Sequence, residues 1–205
     1  MAHTAFGCEH PACGVDLAIM RLKLDRINFM IVDDNAPIRS MVRQVLRAIG
    51  VNLVREASDG SDALIQMRSE IPDIVLTDWL MSPMDGIELT KYIRHSKNSP
   101  YQFLPVIMMT GFGERSRVFQ ARDAGVNEFL VKPLSAAALF TRISAVIERP
   151  RQFVRIGEFF GPDRRRRKED YTGDERRTKG APRTGEKPSP HAPMSQNEIN
   201  QVFNP

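Results

Sequence analysis

The 205-residue chain has no apolar run approaching the ~18 residues that cross a bilayer. It also lacks a basic segment followed by an apolar one near its start, so a cytoplasmic protein with no membrane contact is expected. Cysteine is scarce: Cys8 and Cys13 are the only two, which says nothing of an oxidising compartment. With His3 and His10 they match no zinc signature. There is no helix-turn-helix pattern, and the length suits one domain of roughly 120 residues with extensions rather than two enzyme domains. Neither a dedicated DNA-binding domain nor a second, catalytic domain is therefore expected.

Charge is present but unevenly spread. The net charge is +4, yet residues 150–187 hold 12 Lys/Arg against 7 Asp/Glu, and the remainder carries a slight acidic excess. Basicity is thus a property of the tail, where a phosphate-bearing or polyanionic ligand is to be sought.

What the chain does have is four short apolar runs that each end on a polar group. Ile27 to Val32 ends at Asp33-Asp34, Pro72 to Thr77 at Asp78, Leu104 to Met109 at Thr110, and Phe129 to Val131 at Lys132-Pro133. Short Val/Ile/Leu runs separated by helical patterns read as buried parallel strands, whose ligand sites lie at their carboxyl ends. Three carboxylates, one hydroxyl and one ammonium should therefore converge on one rim.

The intervening segments carry helix signals. Ile38, Met41, Val42, Val45, Leu46 and Ile49 keep the 3.6-residue period, with Pro37 in the first turn and Gly50 past the end. A second strand is expected from Val51 to Arg55, and a second helix from near Asp59. Asp85 is a candidate N-cap for a third helix and Ser135 for the last. The helix after Gly111-Phe112-Gly113 has few apolar positions, so it is the candidate partner face. Pro150 is expected to end the fold.

The acidic pair Asp33-Asp34, Asp78, Thr110 with Gly111, and Lys132-Pro133 closely resemble the receiver domain of bacterial two-component response regulators, the CheY-like family, over residues 26–149. The resemblance implies an α/β, flavodoxin-like, doubly wound parallel sheet of five strands in the order 2-1-3-4-5 with five helices. It assigns Asp78 as phosphoacceptor for a sensor histidine kinase or phosphotransfer protein, and Asp33, Asp34, Asp78 and the Leu80 carbonyl as Mg²⁺ ligands. Lys132, Thr110 and Gly111 bind the phosphoryl group, Phe129 is the aromatic switch, and the Lys132-Pro133 peptide is expected to be cis. Leu80 and Phe112 stand where the family tunes dephosphorylation; both are apolar and unable to orient a water, so a long-lived phosphoryl group is expected. The family's loop proline falls four residues after the acceptor, whereas here Ser82 holds that place and Pro83 follows. A haloacid-dehalogenase-type phosphatase would need a second carboxylate two residues after Asp78, and Leu80 sits there instead.

Residues 1–25 are an extension and residues 150–193 a disordered, arginine-rich tail, too polar for a core. The tail holds an echo: Phe159-Phe160-Gly161-Pro162-Asp163-Arg164-Arg165 and Tyr171-Thr172-Gly173-Asp174-Glu175-Arg176-Arg177. Guanidinium groups grip phosphates and pair with guanine edges, Asp163 and Glu175 can accept from a guanine, and Phe160 or Tyr171 can stack on a base. This element resembles the arginine-rich extension of the Cle proteins, CheY-like regulators, and implies cyclic di-GMP as ligand and the flagellar motor switch as target. The alternatives are a phosphorylation-independent, nucleotide-responsive adaptor and a nonspecific basic nucleic-acid-binding tail. In the terminal peptide 194–205, Ser195 and Glu198 form a capping box, while Ile199, Val202 and Phe203 make one apolar face. It resembles the peptide of the motor-switch protein FliM that docks on CheY, and is expected to occupy the chain's own output face.

Overall fold

A computed structural model describes residues 23–96, 99–111, 113–163 and 189–203. Five strands, β1 (Asn28–Val32), β2 (Leu53–Ala57), β3 (Ile74–Asp78), β4 (Val106–Thr110) and β5 (Glu128–Val131), form one parallel sheet in the order β2-β1-β3-β4-β5. Between them run α1 (Ala36–Ala48), α2 (Gly60–Met67), α3 (Gly86–His95) and α4 (Arg115–Ala124), with α5 (Ala136–Glu148) after β5. The strands alternate their side chains between two apolar layers, as a pleated sheet covered on both faces must. Phe29, Ile31, Leu76, Ile107 and Leu130 pack under α1 and α5, against Val42, Leu46, Leu139 and Ile143. Met30, Val75, Met108 and Phe129 pack under α2, α3 and α4, against Met67, Leu89, Ile93 and Val118.

Helix starts follow local chemistry. The Asp85 carboxylate accepts from Glu88 N at 2.7 Å while Glu88 answers to Asp85 N at 3.1 Å, a closed capping box. Asp59 and Ser135 cap α2 and α5, as expected. Glu114, before α4, makes no side-chain cap bond. β2 begins two residues later than expected because Val51 N is tied to Leu46 O at 3.0 Å in the turn, and it runs on through Glu56, which pairs with Arg39 and Arg43 at 3.1 and 2.7 Å.

The fold does not end at Pro150. Residues expected to begin a disordered tail form a hairpin, β6 (Phe153–Ile156) and β7 (Phe159–Pro162), with Gly157 at φ +60° in its two-residue turn, the backbone conformation such turns require. Phe103, Phe153 and Phe160 meet ring to ring at 5.3 to 5.7 Å, and the Arg94 guanidinium lies 5.0 Å from the Phe153 ring centre. Arg94 is fully buried and donates to the carbonyls of Gly125, Gln102 and Leu104 and to Asn127 Oδ1 at 2.7 to 3.0 Å. Burial pushes its guanidinium down to about 9, so it stays charged at neutral pH. Polar composition hid this hairpin because its apolar partner, Phe103, comes from a distant loop.

A sixth helix, α6 (Gln196–Phe203), raises the count above the five expected and lies against β5 and α4. Ile199 and Phe203 are buried in the same layer as Phe129. Among the described residues no helix is long and apolar enough to cross a membrane.

Candidate functional site at the carboxyl rim

β1, β3 and β4 end side by side, so Asp33, Asp78 and Thr110 arrive at one rim, with Lys132 just beyond β5. Lys132 Nζ stands 2.8 Å from Asp33 Oδ2 and 3.0 Å from Asp78 Oδ1. Oxygens of Asp33, Asp34 and Asp78 lie within 4.8 Å of one another. Asp33 is fully buried, Asp78 half-buried and Asp34 exposed. Three carboxylates against one ammonium leave an acidic surplus, and an all-oxygen donor set with that surplus fits a hard divalent cation.

The surroundings set the electrostatics. Burial raises the Asp78 carboxyl above its usual value, with Asp33 adding to the rise and Lys132 opposing it. For Lys132, burial lowers the ammonium, but hydrogen bonds and charge from Asp33 and Asp78 outweigh it and leave a net rise. The lysine is therefore held protonated between two acids. Asp33 also accepts from Asn35 N at 2.9 Å, and its carbonyl accepts from Arg39 at 2.6 Å. Thr110 is buried, and its carbonyl accepts from Lys132 N at 2.8 Å, tying the ends of β4 and β5 together. Trp79 is buried beside Asp78 with the Arg117 guanidinium 5.4 Å from its ring centre.

Of the remaining expected residues, Leu80 lies in the loop after β3 with its side chain half exposed, and a Cβ at Gly111 would meet open space. Phe129 is buried and stacked on Phe203 at 5.8 Å. Lys132-Pro133 is cis, as expected, and so is Ser82-Pro83. Phe160, expected to stack on a base, is instead 6% exposed inside the aromatic cluster, because the hairpin needs it there. Asp163 N closes that hairpin onto Gln152 O at 2.7 Å. Phe112, Arg164, Arg165, Tyr171, Glu175, Arg176 and Arg177 lie outside the described residues. The Ser195 and Glu198 capping box is present, Ile199 and Phe203 are buried, and Val202 is partly buried against the core.

Gly86 was not legible as a site residue. A Cβ there would stand 2.0 Å from the Asp78 carbonyl oxygen and 3.1 Å from Thr77 Oγ1, so only glycine lets α3 start this close to Asp78. Its one signal is a glycine directly after the Asp85 cap. Arg39, which grips the Asp33 carbonyl, had none.

A doubly wound parallel sheet in the order β2-β1-β3-β4-β5, with an acidic trio and a lysine at its carboxyl rim, places the chain in the flavodoxin-like fold class. Residues 29–144 match the response regulator receiver domain, and the chain belongs to that family. It is 39% identical over 123 residues to chemotaxis protein CheY-3 of Vibrio cholerae, spanning 60% of this chain and 93% of that protein. It is 36% identical to chemotaxis protein CheY of Pseudomonas aeruginosa, spanning 60% and 98%. Similar solved structures include a putative response regulator from Chloroflexus aurantiacus, with TM-score 0.56 and 32% identity over 60% of this chain and 98% of that one. Another is a chain of the CheX-CheY complex with BeF₃ and magnesium from Borrelia burgdorferi, with TM-score 0.54 and 30% identity over 59% and 89%.

Proposed function

We propose that the protein is a response regulator that accepts a phosphoryl group on Asp78 and signals by protein contact. The convergence of Lys132 on Asp33 and Asp78 at 2.8 and 3.0 Å carries this reading. The donor is the phosphohistidine of a sensor kinase or phosphotransfer protein. An Asp78 oxygen attacks phosphorus, the P–N bond breaks, and the electron pair leaves with the imidazole, which takes up a proton. Asp33, Asp34 and Asp78, with the Leu80 carbonyl, hold Mg²⁺, which supplies charge neutralisation for the incoming phosphoryl oxygens. Lys132 turns from its carboxylates to those oxygens as a point charge. Thr110 donates to one of them, and Phe129 is the aromatic that follows its movement.

Beryllofluoride with Mg²⁺ should change Trp79 fluorescence in the wild type and leave Asp78→Asn silent; a silent wild type overturns the reading. Leu80 and Phe112 give the phosphoryl group a long life, which Leu80→Asn with Phe112→Glu should shorten. The output partner is the flagellar motor-switch protein FliM, and the tail from Asp163 onward binds cyclic di-GMP through Arg164, Arg165, Arg176 and Arg177. What supports this layer is the repeated acid-Arg-Arg element and the basic excess of 12 against 7 in residues 150–187. Calorimetric titration of the nucleotide against wild type and a variant with those four arginines changed to alanine tests it. Heat lost with the arginines supports the ligand, whereas equal displacement by any polyanion favours the nonspecific tail.

A further inference from the structure

The segment before α6 does something no side-chain motif announces. The first amide groups of a helix have no partner within it and require an outside acceptor when no side chain caps them. α4 has no such cap at Glu114, and the backbone of the C-terminal segment takes the role: Arg115 N donates to Ala192 O at 3.1 Å and Ser116 N to Pro190 O at 2.9 Å. In return Met194 N donates to Gly113 O at 2.8 Å. The segment therefore completes the start of α4 from 74 to 81 residues away in the chain.

A second set of contacts satisfies the sheet edge. β5 is the last strand of the order, so one side of it has no neighbouring strand. The Gln196 carboxamide takes that neighbour's place, accepting from Val131 N and donating to Phe129 O, both at 3.0 Å. Two turns later Phe203 stacks on Phe129 at 5.8 Å and 18°, and the Arg151 guanidinium lies 5.9 Å from the Phe203 ring centre. Arg151 is itself held by Glu128 at 3.2 Å. Cap, edge and stack are three separate recognitions by one segment of about fourteen residues.

An eight-residue helix is marginal in water, so α6 owes its order to docking. Residues 164–188 separate it in sequence from the hairpin.

We propose that residues 190–203 are a displaceable strap, the chain's own occupant of an interaction surface built from the start of α4 and the open edge of β5. The surface takes a partner of the same chemistry: an amphipathic helix with a carboxamide in its first turn for the β5 edge, an aliphatic residue one turn on, and an aromatic residue that stacks on Phe129. Such a partner binds by displacing the strap. Because Gly113 follows Thr110 by three residues and Val131 precedes Lys132, the strap grips the chain directly beside the carboxyl-rim pocket.

The test uses a fluorescent synthetic peptide of residues 189–205 as probe and the full chain as target. A full-length Gln196→Ala/Phe203→Ala variant should bind the probe at least about tenfold more tightly than wild type, since its own strap no longer competes. Equal affinity, or binding to neither protein, overturns the proposal. Should the variant be unstable, amide exchange on the wild type decides. Arg115, Ser116 and Val131 should exchange through a local opening faster than Met108 in β4, at a rate independent of protein concentration. Exchange only with global unfolding would make the segment a permanent part of the fold, and a concentration-dependent rate would assign the occupant to a second copy; either overturns the strap. Neither arm uses magnesium or a phosphoryl mimic, so failure here leaves the reading of Asp78 untouched.

Discussion

β5 carries an acid–base cluster at each end, and the two are opposites. At its start Glu128, 1% exposed, is shared by Arg142 and Arg151 at 3.2 Å each. Just past its end Lys132 is shared by Asp33 and Asp78, with Asp34 beside them. The first cluster is closed and holds one acid between two cations. The second is partly open to water, and its surplus is acidic. A buried charge with its partners in place is satisfied and costly to strip of them, whereas an accessible surplus of one sign can be met by a counter-charge from solution. Enclosure and surplus sign, more than the presence of an ion pair, separate scaffold from site.

The sharpest way to break this comparison is to remove the central group of the open cluster. Asp78→Asn should abolish beryllofluoride uptake altogether while leaving the circular dichroism spectrum unchanged; a retained Trp79 response would place the acceptor elsewhere. Removing the central group of the closed cluster should do the reverse. Glu128→Ala leaves two guanidinium groups without their acid and should cost about 3–5 kcal/mol in urea unfolding, with the Mg²⁺ midpoint of Trp79 fluorescence unmoved. If stability held and the midpoint shifted, the two ends of β5 would not be separable roles.

The open cluster was legible in the sequence and the closed one was not. Asp33, Asp78, Thr110 and Lys132 each end an apolar run, so polarity contrast marks them, and parallel strands bring such ends to one rim. Glu128 opens β5 with nothing local to distinguish it, and its partners Arg142 and Arg151 come from α5 and from the chain just beyond it, in a stretch that reads as the start of a tail. The same physics hid the hairpin and the cap on α4: the first needs Phe103 from far along the chain, and the second is made by backbone carbonyls that leave no side-chain signature. What alternates in polarity can be read locally, and what depends on a distant partner cannot.

A smaller effect probes how tightly the open cluster is built. With the Gly86 Cβ position 2.0 Å from the Asp78 carbonyl, Gly86→Ala should force α3 away from the end of β3 at a cost of about 1–3 kcal/mol. The displaced acceptor should also weaken beryllofluoride binding, read by the same Trp79 titration. Gly111→Ala, where a Cβ meets open space, should do neither. Equal behaviour of the two variants would mean that the close approach at Gly86 has no bearing on the site.

The smallest effect is in the pH dependence of stability without magnesium. Burial raises the Asp78 carboxyl above 3.8, so the folded protein holds that proton more firmly than the unfolded chain, and stability falls as pH rises through the window that opens near 3.8. Lys132 is raised above 10.5, so its contribution is fully present at neutral pH and is lost only as pH rises through its folded value. Near neutrality the ionised Asp78 carboxylate is therefore a net cost that the lysine has not cancelled. Asp78→Asn should melt at a higher temperature than wild type at pH 7 and at the same temperature below about pH 3.8, and Mg²⁺ should close the gap by binding wild type alone. A gap between the two proteins that stays constant from pH 3 to 7 would show that the acidic surplus is relaxed by solvent, and the distinction between the two ends of β5 would then rest on access alone.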